Sequence, residues 1–198
     1  MRPLQVAALG LVALCWWTLG AALLFRKRLP PVRESRRAPA WKLGLLFQAG
    51  GVLVLLAMRR PLGTPWLEVG PALELAAAAA AVALAAGSAW IVWRAERALG
   101  RQFAYQARLI EGHRLITSGP YRFVRHPMYA AVFTLAVATA ITWSRWMALP
   151  PFALLYAVGT VVRVRCEDRL LQEAFGAEFE AYARRVPAVI PGLGSRRR

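Results

Sequence analysis

The sequence predicts an all-α integral membrane protein with about five transmembrane helices, and three observations carry that prediction. Of the 198 residues 58% are hydrophobic, yet the formal net charge is +16, a combination foreign to ordinary soluble domains. The apolar residues are segregated into five runs almost free of charge, at 4–25, 43–58, 69–93, 128–143 and 147–162. Lysine and arginine collect in alternate intervals between these runs, the pattern expected when basic loops stay in the cytoplasm.

Each element can be justified in turn. A helix needs roughly 20 residues to cross a bilayer, or ~17 in short cases, so the second, fourth and fifth runs are the shortest spans. The first run follows only Arg2 and resembles a signal peptide. It is longer than a typical signal h-region, however, and meets Arg26-Lys27-Arg28 without a small-residue cleavage site, which predicts a retained helix. "LPPVRESRRAPAW" reads as an extended basic connector, because paired prolines and Ala-Pro disfavour helix. "ELAAAAAAVALAAGSAW" gives the third helix small side chains for close packing, with Glu74 near its outer end, where a carboxylate reaches the interface in a structural role. Pro127 suits the first turn of the fourth helix, and Gly119-Pro120 ahead of it suits a turn. The fifth span continues as "VVRVRCEDRLLQEAFGAEFEAYARRVPAVIPG", interrupted at Gly176 and followed by a second amphipathic helix to about Arg185, before Pro187.

Seven basic residues lie in the linker 26–42, seven in 94–126 and eight after Val162, against Arg2, Arg59, Arg60 and Arg145 on the other side. The amino terminus is therefore expected outside and the carboxy terminus in the cytoplasm, in a multi-pass protein of a bacterial-type inner membrane. Trp41, Trp66, Trp90, Trp93, Trp143 and Trp146 fall near helix ends, where indoles prefer the headgroup level, whereas Trp16 and Trp17 fall mid-helix and do not fit. Two segments are expected: 1–93, with three helices and the basic linker, and 94–198, with the middle loop, two helices and the amphipathic tail.

The charge does not call for nucleic acid, because membrane topology and anionic lipids already account for basic residues on one face. Cys15 in a membrane run and Cys166 in the tail are not placed to pair, and two histidines offer no convincing metal site.

The chemistry concentrates in three clusters. "GPYRFVRHPMY" crowds Arg122, Arg125, His126, Tyr121 and Tyr129 against two prolines. As topogenic charges and an aromatic belt these residue types are commonplace, but a belt needs neither a histidine nor prolines in fixed register. His126 and Tyr129 stand where a helix begins, a place that favours an anion or polar ligand. Arg163 and Glu167, four apart, share one helix face as it leaves apolar surroundings, where charge is expensive. "EGHRLITSGPY" carries His113 into the first cluster.

Taken together, Gln106, "EGHRLITSGPYRFVRHPMY" and Glu167-Asp168 followed by "FGAEFEAYARRVP" resemble the isoprenylcysteine carboxyl methyltransferase family and the related membrane phospholipid methyltransferases, over residues 100–192. The resemblance implies a membrane enzyme that uses S-adenosylmethionine. It also implies a cytoplasmic cofactor pocket formed by the loop before helix 4 and the C-terminal helices, with a lipid path between helices. By matching position, the cofactor residues would be Gln106, His113, Arg114, Leu115, Ile116, Tyr121, His126, Pro127, Met128, Tyr129 and Glu167, with Arg163 facing the methyl acceptor. The residue types agree: His126 suits the cofactor carboxylate, Glu167 its hydroxyls or amino group, Tyr121 and Tyr129 a sulfonium, and Leu115 and Ile116 the adenine. No metal is implied.

The expected function is carboxyl O-methylation of a lipophilic, isoprenylcysteine-like acceptor. The alternatives are N-methylation of phosphatidylethanolamine-type headgroups, a membrane sterol or enone reductase using NADPH, and a non-enzymatic scaffold. The acidic block is short here, and the amino-terminal half carries no recognised motif, which leaves the acceptor the least determined element.

Overall fold

A computed structural model of the chain describes residues 3–24, 34–37, 40–61, 70–103, 108–110 and 112–193. Each of the five apolar runs contains a helix: α1 (Pro3–Leu24), α2 (Trp41–Ala57), α3 (Pro71–Leu99), α4 (Pro127–Trp143) and α5 (Leu149–Phe175), followed by the short amphipathic α6 (Ala177–Arg185). Three helices are long and apolar enough to cross a membrane, α1, α3 and the helix ending at Phe175, while α2 and α4 are apolar helices of 17 residues each. The protein is all-α and membrane-integral, apart from one small strand pair.

The boundaries follow from local chemistry. Prolines open α1, α3 and α4, because a missing N–H is harmless in the first turn and the ring presets the helical φ. Gly176 separates α5 from α6 at φ +49, a left-handed conformation that costs a residue without Cβ little. Pro187 lies just beyond α6. The basic connector is extended where it is described: β1 (Glu34–Arg37) pairs antiparallel with β2 (Arg108–Ile110), with an irregularity between Glu34 and Arg36.

The chain divides into two compact units: one of Met1–Arg26, Gln48–Trp90 and Ala131–Ala157, the other of Lys27–Phe47, Ile91–Ala130 and Val158–Arg198. Helices α2 to α5 each contribute a segment to both.

The core of the first unit is Leu55, Ala136, Ala140, Ala148, Phe152 and Tyr156, joined by Trp16, Val52 and Met58. Phe133, Phe152 and Tyr156 form an aromatic triangle with centroid separations of 5.4, 5.6 and 5.5 Å, within the range of favourable ring pairs. The ends of α2 and α4 are stitched by reciprocal backbone bonds: Arg60 N–H donates to Trp143 O and Arg145 N–H to Met58 O, both at 2.9 Å. The Arg60 guanidinium donates to Ile141 O at 2.6 Å and Ser144 Oγ to Leu55 O at 2.7 Å. Carbonyls that a helix end leaves without partners are thereby satisfied, so Arg60 has a capping role beyond topology.

The two tryptophans that fit no interfacial belt have separate explanations. Trp16 donates its indole N–H to Thr139 Oγ1 at 2.8 Å, and Trp17 is 76% exposed beside exposed Leu14 and Leu11 on an apolar face that suits lipid. In α3 a stripe of Ala78, Ala81, Ala85, Ser88, Val92 and Ala95 is buried, the small-residue face expected of a packed membrane helix. Glu74 lies at the end of α3 as expected and is buried in its first turn, a position where helix N–H groups and the dipole favour a carboxylate.

Close packing within this unit depends on Gly51. A Cβ there would lie 3.1 Å from Phe152 O, 3.3 Å from the Phe152 ring and 3.4 Å from Leu155 Cβ. Gly51→Val is therefore expected to destabilise the protein by about 1–3 kcal/mol through overpacking, read as a lower thermal midpoint in detergent; an unchanged midpoint would show that α2 and α5 can separate freely here.

Candidate active site

The second unit builds its site from the turn before α4, the far part of α5 and α6. Gly119 at φ +62 begins a single 3-10 turn, Gly119–Arg122, that buries Tyr121. The bend that follows is held by the chain returning from α6: Arg125 N–H donates to Pro187 O at 2.9 Å and His126 N–H to Ala188 O at 2.8 Å. Tyr182 Oη donates to Tyr121 O at 2.6 Å. Arg125 gives one guanidinium nitrogen to the carbonyls of Ala183 and Val186, capping the C-terminal end of α6. The other donates to Asp168 Oδ2 at 2.8 Å.

His126 then sits, buried, against α5. Its Nδ1 lies 3.0 Å from Glu167 Oε2 and its Nε2 2.8 Å from Asp168 Oδ1. Ionised carboxylates only accept hydrogen bonds, so both ring nitrogens must carry protons and the ring is an imidazolium. Burial opposes that charge, but the hydrogen bonds and charges of Asp168 and Glu167 outweigh it and raise His126 to about 9. Tyr129 Oη donates to Glu167 Oε1, and Arg163 Nη2 lies 3.9 Å from the same oxygen. The result is an alternating chain, Arg125, Asp168, His126, Glu167, Arg163, in which each carboxylate joins two cations.

Aromatic rings complete the arrangement. The buried Arg163 guanidinium lies over the Tyr129 ring at 5.1 Å and over the Trp41 ring at 5.9 Å from their centroids, distances at which a cation is attracted to a ring face. Trp41 opens α2 and packs with Leu45, Cys166, Leu170 and Leu171. Burial, followed by the charge of Glu167, pushes the Tyr121 phenol up, which ties that side chain electrostatically to the same cluster.

Of the residues expected from the sequence, His126, Tyr129, Arg163 and Glu167 come together directly. Pro127 and Met128 begin α4 beside them, and Tyr121 is near enough to respond to Glu167. The 113–116 segment makes its own separate contacts. His113 stands 6.1 Å from the Phe175 ring, with its buried Nδ1 unpartnered among the described residues, and burial lowers its pKa. Arg114 is exposed, and its backbone is held by Gln102, whose Oε1 accepts from Arg114 N at 2.6 Å and whose Nε2 donates to Arg114 O at 3.0 Å. Leu115 and Ile116 are half-buried. Gln106 lies outside the described residues.

Both ring nitrogens of His126, expected to serve a cofactor carboxylate, lie against the protein's own carboxylates in this arrangement. The sequence named Arg125, Asp168 and Trp41 without giving them a role in the site, and it did not single out Tyr182 or Gln102. Asp168 follows Glu167, and adjacent helical residues point about 100° apart, so spacing gives no reason to place both on one partner. An imidazole with two opposed nitrogens makes that possible.

A profile of the phospholipid methyltransferase family matches residues 76–178, just over half of the chain. The chain belongs to this family. The family match covers the charge chain from Arg125 to Asp168 and omits α2. This phospholipid methyltransferase family member is 31% identical over 94 residues to protein-S-isoprenylcysteine O-methyltransferase B of Arabidopsis thaliana, a match covering 46% of this chain and 48% of that one. It is 33% identical over 79 residues to the protein-S-isoprenylcysteine O-methyltransferase of Schizosaccharomyces pombe, covering 40% and 34%. It is also 42% identical over 84 residues to the nickel-cobalt-cadmium resistance protein NccN of Alcaligenes xylosoxydans xylosoxydans, covering 40% and 37%. The chain spans about half or less of the length of these curated relatives.

Methyltransferase membership implies S-adenosylmethionine, and the residues fit it. A buried His113 nitrogen unpartnered among the described residues, the Glu167 carboxylate and the Tyr121 ring match the cofactor's mixture of polar groups and a sulfonium.

The charged state of His126 makes stability depend on pH. Its folded pKa of about 9 exceeds the ordinary value of 6.5, so its contribution is complete below the lower figure and is lost progressively as pH rises through the higher one. The thermal midpoint of the detergent-solubilised protein is expected to fall from roughly pH 7 to pH 10, and His126→Gln should flatten that slope; a wild-type midpoint independent of pH would count against a charged His126.

Proposed function

We propose that the chain is a membrane-embedded methyltransferase that uses S-adenosylmethionine to O-methylate a carboxylate on a lipophilic, isoprenylcysteine-like acceptor. The observation that carries this reading is Arg163: a guanidinium buried on the apolar-to-polar stretch of α5, bracketed by Tyr129 and Trp41 and anchored to Glu167. Family membership and the similarity to isoprenylcysteine methyltransferases support it.

When bound, S-adenosylmethionine supplies a methyl group on sulfonium, and its transfer to a carboxylate oxygen leaves the thioether S-adenosylhomocysteine. A carboxylate is ionised at neutral pH, so no residue need remove a proton from it. What the protein must supply is alignment, which can account for much of the rate. Arg163 would hold the acceptor carboxylate through its forked N–H groups. Glu167 would accept hydrogen bonds from the cofactor's hydroxyl or amino groups, with Tyr129 and His126 fixing its two oxygens. Tyr121, Tyr129 and the segment His113, Arg114, Leu115 and Ile116 would form the rest of the cofactor surface, joined by Gln106, Pro127 and Met128. Residues 94–198 would then be the catalytic portion. The basic distribution supports a cytoplasmic location for this surface, with the amino terminus outside, in a bacterial-type inner membrane.

Calorimetric titration of the purified protein with S-adenosylhomocysteine, run beside NADPH, tests the cofactor. Micromolar binding of the former alone is expected, weakened roughly tenfold by Glu167→Gln, the scale of one hydrogen bond to a charged group; binding of NADPH alone would assign a reductase instead.

Arg163→Lys keeps the charge but not the planar fork. It should leave S-adenosylhomocysteine affinity within about twofold and lower turnover of a prenylcysteine acid by roughly tenfold or more. Equal loss of cofactor binding would make Arg163 structural, and turnover of phosphatidylethanolamine but not of the acid would move the reading to headgroup N-methylation.

A further inference from the structure

We propose that Trp41 is a substrate-binding residue whose indole N–H donates to the carboxylate that Arg163 holds, so that the first turn of α2 forms part of the acceptor site. The proposal rests on the reading of Arg163 as the acceptor-binding residue. It concerns a helix that lies wholly outside the family match at 76–178.

The first observation is an unmatched donor. Trp41 is only 7% exposed, and its Nε1 is buried with no hydrogen-bond partner among the described residues. A buried indole N–H ordinarily finds an acceptor. The hydrophobic side chains clustered with Trp41 are Leu45, Cys166, Leu170 and Leu171, among which only the thiol is polar. A tryptophan serving only as an interfacial anchor would keep its N–H in the wet headgroup layer.

The second observation is what the ring faces. The Arg163 guanidinium lies over Trp41 at 5.9 Å from the ring centroid. The indole N–H lies in the ring plane, so a ligand oxyanion received by the guanidinium would meet it at the rim of the ring and not over its face. Such a ligand brings the lone pairs that the buried N–H requires, and a carboxylate has two oxygens and about four acceptor positions to share between the two donors.

The third observation is that this placement is built in. Gly44, one turn along α2 from Trp41, sits so close to α5 that a Cβ would lie 2.5 Å from Arg163 Cγ and 2.7 Å from Gly159 O. Residues three apart share a helix face. Gly44 thus lets α2 lie directly against the Arg163 turn, and Trp41 is presented to the guanidinium as a consequence.

Trp41→Phe keeps an aromatic face toward Arg163 and removes only the N–H. Binding of N-acetyl-S-farnesylcysteine to the full-length protein in detergent should weaken roughly tenfold in this variant, the scale of one charge-assisted hydrogen bond. S-adenosylhomocysteine affinity should not change. The methyl ester of the probe, which lacks the anion, should bind wild type and variant equally weakly.

Equal affinity of wild type and Trp41→Phe for the acid, with wild-type binding intact, would overturn the role of Trp41 and leave the proposed function standing. Failure of wild-type protein to bind the acid would remove both. If the variant does not fold, as shown by lost S-adenosylhomocysteine binding, the wild-type protein labelled with 15N at its indole nitrogens decides the matter. One indole resonance assigned to Trp41 should move downfield on adding the acid and stay in place with the ester; an unmoved resonance overturns the proposal.

Discussion

Keeping cations out of water at the end of an apolar helix is the constraint on which this structure turns. Arg163 is buried where α5 passes from apolar to charged sequence, and His126 is buried opposite. Uncompensated, each would be expensive. Glu167 and Asp168 solve both problems by each joining two cations, and that solution dictates the surrounding fold. Helix α5 must run on well beyond its apolar stretch to present the carboxylates. The chain must then reverse at Gly176 so that the end of α6 meets Arg125. The residues after α6 must lie alongside 125–126, which the bonds from Arg125 and His126 to Pro187 and Ala188 record. The polar tail is thus part of the site's scaffold.

The same constraint explains what could be read from the sequence. Helices were legible because lipid imposes long apolar runs, and their edges were legible where Pro127, Gly176 and Pro187 leave the backbone few choices. His126, Tyr129, Arg163 and Glu167 stood out because charge and aromatic density at such an edge exceeds what topology needs. Partners joined across the fold were harder. Asp168 was overshadowed by its neighbour, and Arg125 looked like one more topogenic charge until its carbonyl partners were known. Trp41 looked like an interfacial anchor because a sequence does not show whether an indole is wet or dry. Trp16 made the opposite error visible: a mid-helix tryptophan was explained by a threonine more than a hundred residues away in sequence. Glu74 was placed correctly at the helix end, but its burial was not legible, because a sequence does not show what packs over a first-turn carboxylate.

Glycine has a distinct part in this economy of close approach. Gly44 and Gly51, two turns apart on α2, both face α5, one against Arg163 and Gly159 and the other against Phe152 and Leu155. In lipid, apolar side chains gain little by leaving their surroundings for one another, so close backbone packing has to supply the association. At Gly51 that packing serves an apolar core. At Gly44 it serves a charged residue, since a side chain there would strike the Arg163 stem.

These features bear on the choice of acceptor. At 4 Å and an effective dielectric of 20, a unit charge beside a guanidinium gains or loses about 4 kcal/mol, according to its sign. A carboxylate is drawn to Arg163 with its reacting oxygen already ionised. An ammonium headgroup meets repulsion from Arg163, offset in part by Glu167 beside it, and its nitrogen must also lose a proton before it can take a methyl group. A phospholipid could avoid that repulsion by giving Arg163 its phosphate, but the phosphate would then occupy the guanidinium edge while the amine reacted some distance away. The proposed carboxylate reading places the charged anchor and the reacting atom in the same group. It therefore asks less of the protein's geometry, and it gives the aromatic rings around Arg163 a common purpose in fixing where that group sits.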